Sequence, residues 1–419
     1  VRAAGLFSAV RPGMAEDMTR VDERSGYAPT PGHPPRGGWP AVATVAAGTF
    51  TVVTSEMLPV GLLTPVRGSL DVSEGTAGLT LTVTGLVAAL SAPLVTAAVG
   101  RIDRRTVLCG LLVLLTAANV LAAWSPDFAV MTAARVLVGV GLGGVWSLAG
   151  GLAVRLVPAG SVGPATSLIF SGVAVASVVG VPSGAYLGEL AGWRTAFLAV
   201  GVLALLVAAA MAVLLPPLPA EPVALGGVLR LWGNARVATG LAVVFLLVTG
   251  HFAAFTYVRP ILEDVSGVGA SLIGALLLAY GIAGIAGTFA AGARAGGSLR
   301  GTVLAIGATL AASLLLVPLL GLSVAGAAVL LVVWGLAYGG VSVSTQTWLG
   351  LAVPRAREGA TSLFVAVFNG AIALGAFAGG RLVDGFGTRS VLWLGGALAL
   401  AALAATLLGR VPPAAAGAA

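Results

Sequence analysis

From Ala41 onward, apolar runs of membrane-spanning length alternate with short polar breaks. A run of about 20 apolar residues crosses a bilayer as an α-helix. The pattern predicts spans over 41–63, 77–99, 106–123, 129–154, 165–189 and 195–215. A polar break, "PPLPAEPVALGGVLRLWGNAR", comes next. Further spans are predicted over 237–260, 270–293, 301–319, 323–352, 358–382 and 390–409. The expected fold is an all-α membrane protein with about twelve transmembrane helices in two six-helix halves. The halves cover 41–215 and 237–410, with a linker over 216–236 and a C-terminal tail over 411–419. Residues 1–40 are polar, rich in Pro and Gly, and without a hydrophobic period, which predicts a disordered tail. Met14 and Met18 in it are plausible initiators.

Composition fits lipid as the solvent. The chain is 58% hydrophobic and 9% charged, where soluble domains carry about 25% charged residues. The net charge of +7 comes from arginines spread over short breaks, with no Lys anywhere. That is the pattern of a topology signal, so no nucleic-acid partner is expected. Arg101, Arg104, Arg105, Arg155, Arg230, Arg236, Arg294, Arg300, Arg355, Arg357 and Arg410 fall on one side; Arg67, Arg194 and Arg389 fall on the other. By the positive-inside rule both termini and the linker are cytoplasmic. The single cysteine, Cys109, excludes an internal disulfide and a Cys-based metal cluster.

The halves repeat. "ATSL" at 165–168 recurs at 360–363, and the same offset of 195 pairs Glu189 with Asp384 and Arg194 with Arg389. An offset of 196 pairs Gly139, Gly143, Gly144 and Pro158 with Gly335, Gly339, Gly340 and Pro354. An even number of spans per half makes this a parallel repeat about an axis along the membrane normal.

Specific motifs carry a family resemblance. "GRIDRR" at 100–105 resembles the loop between helices 2 and 3 of the major facilitator superfamily, although one glycine of the full pattern is missing. "ARVLVGVGLGG" at 134–144 is similar to that family's helix 4 motif. "GVPSGAYLGELAGWRTAF" at 180–197 resembles the helix 5 motif of its drug–proton antiporters, with the usual Gly-Pro pair split by Val181. "SEMLPVGLLTPV", "SEGTAGLTLTVTG" and "GHFAAFTYVRP" resemble the bacterial purine ribonucleoside exporters of the superfamily. The resemblance implies proton-driven export of a small organic solute from a bacterial cell membrane by a monomer. It also implies a gating role for Gly100, Asp103, Arg104 and Arg105, and a helix 5 motif at Gly180, Pro182 and Gly184.

Glu56 stands inside the first apolar run. A charge at the centre of a span costs about 2.5–3.5 kcal/mol on insertion scales, so intramembrane ionisable groups are functional candidates by default. Glu56 and the intramembrane Arg135 are the candidate proton-coupling pair; each could instead reach a headgroup. Pro59 frees a backbone carbonyl one turn on. His251 sits at the Glu56 position of the second half, 195 residues on, so the two should face each other across one cavity. Candidate substrate contacts are His251, Phe252, Phe255, Tyr257, Trp146, Gln346 and Asn369. A lone His can equally be a hydrogen-bonded core residue, and the aromatics can equally form an interfacial belt. Arg259 reads as a headgroup anchor.

No phosphate-binding Gly-x-x-x-x-Gly-Lys-Ser/Thr and no His-Glu-x-x-His occur, so an ATP-driven pump and a zinc protease are excluded. No enzyme activity, cofactor or metal is expected. The partners expected are a small-molecule substrate, protons and the lipid bilayer. Multidrug, chloramphenicol-type or arabinose-like sugar efflux remain alternatives, as does a membrane sensor that keeps the transporter fold.

Overall fold

The computed structural model describes residues 38–98, 102–149, 152–158, 161–219, 229–295, 298–353 and 357–412. Most of the expected N-terminal tail, the middle of the linker and residues 413–419 lie outside these. Among the described residues, twelve helices are long and apolar enough to cross a membrane. They are α1 (Gly38–Leu70), α2 (Glu74–Ala98), α3 (Arg104–Ala123), α4 (Phe128–Ala149), α5, α6 (Trp193–Leu214), α7 (Ala235–Phe255), α8 (Ala270–Ala295), α9 (Leu299–Leu320), α10 (Val324–Ala352), α11 (Arg357–Phe386) and α12 (Arg389–Leu408). Helix α5 is interrupted: Val162–Val175 passes through a π turn, Ala176–Gly180, into Val181–Ala191.

Two spans differ from the pattern reading. Helix α1 runs on to Leu70 through Pro59 and Pro65. Helix α7 stops at Phe255; a short turn, Val258–Pro260, and a π turn, Ile261–Val265, follow it. Pro260 cannot donate to the carbonyl four residues back, which favours a break there. Some helix starts carry side-chain caps. Asp103 accepts from the Arg105 backbone N–H at 2.8 Å and Asn234 from that of Arg236 at 2.9 Å.

The repeat is one of packing as well as of sequence. A Cβ on Gly180 would strike Thr54, and one on Gly375 would strike the Thr249 backbone. Gly139 faces the Thr84 carbonyl and Gly335 the Tyr280 carbonyl; Gly143 faces Ala88 and Gly339 faces Gly284. Each pair keeps the offset seen in the sequence. Helix α2 thus packs on α4 as α8 packs on α10, backbone against backbone, with glycine permitting the approach.

The two six-helix sets meet along α2 with α11 and α5 with α8. Their polar ties lie at the end that carries the α1–α2, α5–α6 and α11–α12 turns, here called the distal end because α1 begins and α12 ends at the other. There Asp384 of α11 accepts from the Gly75 N–H at 2.9 Å and from the Ser73 hydroxyl at 2.7 Å. A carboxylate from one set thereby caps the N-terminus of a helix in the other, where the helix dipole favours an anion.

Candidate functional site

Helix α1 supplies the centre of the site. Ser55 and Glu56 are buried, and Oε1 of Glu56 has no hydrogen-bond partner. Because Pro59 lacks an N–H, the Ser55 carbonyl loses its helical donor. Arg135 of α4 fills that place. Its Nη2 donates to Ser55 O at 3.0 Å and to Glu56 O at 3.1 Å, and its Nε donates to the Thr84 hydroxyl at 3.1 Å. Arg135 is fully buried and so reaches no headgroup. Its Nη1, like Oε1 of Glu56, has no hydrogen-bond partner, and no ion pair within 4.0 Å joins the two side chains. Burying an unpaired ion costs several kcal/mol, and protonating the carboxylate removes that cost. The arrangement suits a carboxyl group that gains and loses a proton.

On the second-half side, His251 sits in an aromatic cluster. Its ring stacks on Tyr338 with centroids 3.3 Å apart, and Phe252, Phe255, Tyr280 and Trp334 surround it. The Trp334 indole N–H donates to His251 Nδ1 at 2.9 Å, so a neutral His251 carries its proton on Nε2. Glu56 and His251 are both buried side chains. Phe252 and Phe255 are buried as well, with their two rings edge to face.

Other predicted residues fall elsewhere. Tyr257 donates its hydroxyl to Ala376 O at 2.8 Å and fills the space that a Cβ on Gly78 would need, so it is a packing wedge. Trp146 packs against Phe170. Gln346 is exposed, donates to the Ser342 hydroxyl at 2.9 Å, and borders a 360 Å³ cavity with Thr347, Gly350 and Phe364. Asn369 donates back to Val365 O, and its own carbonyl faces Gly85. In the helix 5 motif, Gly180 abuts Thr54 and Gly184 abuts Leu58, with Pro182 opening the last helical section.

Three of the four expected gating residues are described. Gly100 lies outside the described residues. Asp103 accepts from the Leu218 N–H at 2.7 Å, and Arg105 donates to Ala212 O. These contacts tie α3 to the end of α6 within the same half. Arg104 is buried, and its backbone N–H donates to Leu218 O at 2.9 Å. Arg259 differs from its reading as a headgroup anchor: it is buried and bonded to protein.

Sequence reasoning missed Tyr338, Trp334, Tyr280, Thr84 and Thr80, whose carbonyl accepts from Arg135 Nε at 3.4 Å. Trp334 with Tyr338 and Thr80 with Thr84 are pairs spaced i, i+4, which put both members on one helix face. That spacing was the available signal.

The Major Facilitator Superfamily model matches residues 45–359. The chain belongs to the Major Facilitator Superfamily. Its twelve-helix fold is that of the superfamily, and it is a membrane transporter of small molecules. It is 36% identical to the purine ribonucleoside efflux pump NepI of Escherichia coli strain K12 over 366 residues, covering 87% of this chain and 92% of the relative. It is also 36% identical to the transcription regulatory protein OpdE of Pseudomonas aeruginosa over 377 residues, covering 89% and 94%. Among solved structures, the nucleoside transporter NupG superposes with a TM-score of 0.70 at 14% identity, covering 88% of this chain and 98% of that one. That last likeness speaks to the fold alone.

Proposed function

We propose that this protein exports purine ribonucleosides or closely related solutes in exchange for protons that load on Glu56. The observation that carries the proton reading is the buried Glu56 carboxyl with an unpartnered Oε1 beside the buried Arg135. The relative named as a purine ribonucleoside efflux pump supports the cargo class. Arginine placement supports an orientation with the distal end outside the cell. The two halves are tied there by Asp384, Ser73 and Gly75, so the carrier is held closed to the outside. Proton entry at Glu56 from an acidic exterior then drives the outward-facing carrier back to accept new cargo.

The deciding experiment is uphill export in proteoliposomes under an imposed pH gradient, run with inosine, arabinose and chloramphenicol. Accumulation of inosine alone supports the proposal. Accumulation of either other solute in its place moves the cargo to sugar or drug efflux.

A second reading is favoured by one observation, the equal identity to a relative named as a transcription regulatory protein. A sensor would bind solute without moving it. Binding with neither uphill export nor exchange in the same vesicles would select that reading.

A further inference from the structure

Helix α1 contains a second proline, and its effect reaches across the molecule. Pro65 has no N–H, so the Gly61 carbonyl four residues back has no helical donor. The group that fills its place comes from the other half: Arg259 Nη1 donates to Gly61 O at 2.9 Å. The same guanidinium donates through Nε to Glu263 Oε1 at 2.9 Å, and its Nη2 lies 4.0 Å from Glu189 Oε2 on α5. Glu263 in turn accepts from the Thr64 hydroxyl of α1 at 2.7 Å. Arg259 is 5% exposed.

The crowding at Gly61 explains why three elements converge there. A Cβ on Gly61 would meet the Val181 carbonyl at 2.9 Å and the Ala185 Cβ at 3.2 Å. Helix α5 therefore lies directly on α1, and Glu189, one turn beyond Ala185, comes within reach of Arg259. A buried guanidinium needs all its charge-assisted bonds to repay its desolvation. Here two of its three contacts belong to the opposite half.

Ser55 and Gly61 are six residues apart, about 9 Å along the helix and on different sides of it. Arg135 holds the first carbonyl from within the half; Arg259 holds the second from outside it. We propose that Arg259 is a positioning residue for transport: through the Gly61 carbonyl that Pro65 frees, it fastens the helix carrying Glu56 to the second half, and it must let go for the distal end to open.

The fastening can be measured without cargo. Cys109→Ser removes the one native thiol, and Gly68→Cys with Gly385→Cys places spin labels at the distal end of each half, where both positions have open space. Pulsed EPR distances are compared in this background for Arg259→Gln, Pro65→Ala and Pro59→Ala. Pro65→Ala gives Gly61 O an internal donor that competes with Arg259 while leaving Arg259 in place, and Ala favours helix. Arg259→Gln and Pro65→Ala should both shift the distance distribution to longer separations, with the Tm of Pro65→Ala no lower than that of the parent. Pro59→Ala should leave the distances alone, because its carbonyl is held within one half. Parent-like distances in Pro65→Ala would overturn the proposal, and this variant decides the matter even if Arg259→Gln fails to fold. Because no solute is present, the outcome is separate from the cargo assignment.

Discussion

Arg135 donates through Nη2 to the carbonyl oxygen of Ser55, the group left without a helical partner by Pro59. Proline normally weakens a helix interior by about 3 kcal/mol. Here part of that loss is recovered by a charge-assisted bond from another helix. Arg135→Lys keeps the charge but cannot serve the two α1 carbonyls and the Thr84 hydroxyl together. A loss of about 1.5–3 kcal/mol is expected, the worth of a hydrogen bond to a charged group. Thermal unfolding in detergent measures it; an unchanged Tm would show that the guanidinium fork is dispensable.

Glu56→Gln should abolish uphill export while leaving solute exchange at near parental rates. Gln matches Glu in size and hydrogen bonding but cannot carry a proton. Vesicles that hold the variant and still accumulate solute against its gradient would exclude Glu56 as the proton carrier. A fall in binding affinity of about 1.5–3 kcal/mol would mean instead that Glu56 bonds the solute directly.

Asp264 lies in the connection after α7, outside the spans. Burial pushes its carboxyl above the usual range, the neighbouring Glu263 adds to the rise, and Arg67 opposes it. A carboxyl raised in the folded state contributes stability below its unfolded pKa and loses it as pH rises through the folded value. Asp264→Asn should therefore match the parent in Tm near pH 4 and exceed it near pH 8. The expected gap is small, because the site is largely exposed and solvent screens it. A variant less stable than the parent at pH 8 would contradict the sign.

Trp334→Phe should cost about 1–3 kcal/mol, the penalty of leaving the buried Nδ1 of His251 without a donor. The ring contacts survive in Phe, which isolates the hydrogen bond. Chemical denaturation of the two proteins side by side supplies the number, and equal midpoints would remove the structural role assigned to the pair.

The spans were legible in the sequence because bilayer thickness fixes their length, and the repeat was legible because glycines at helix crossings cannot drift. Glu56 and Arg135 stood out because charges are rare in apolar runs. The geometry around them was not legible. The carbonyls freed by Pro59 and Pro65 are visible in the sequence, but which guanidinium would fill each depends on how α4 and the α7–α8 connection approach α1. For that reason Arg259 looked like a surface group. His251 was placed by the repeat, yet its closure by Trp334 and Tyr338 depends on α10, far away in the chain. In the loop at 100–105 the tie of Asp103 to Leu218 was not legible, because it depends on where α6 ends.

The contact of α2 with α11 has a further consequence. Gly75 and Gly78 leave no room for even one added carbon against Asp384, Gly380 and the Tyr257 ring. A seam that tight excludes a file of water. The protein sits in an energised membrane, where each elementary charge that slips through dissipates about 2.3 kcal/mol per 100 mV. Between turnovers the seam therefore serves as insulation. A side chain at Gly78 would be felt first as an electrical leak across the membrane.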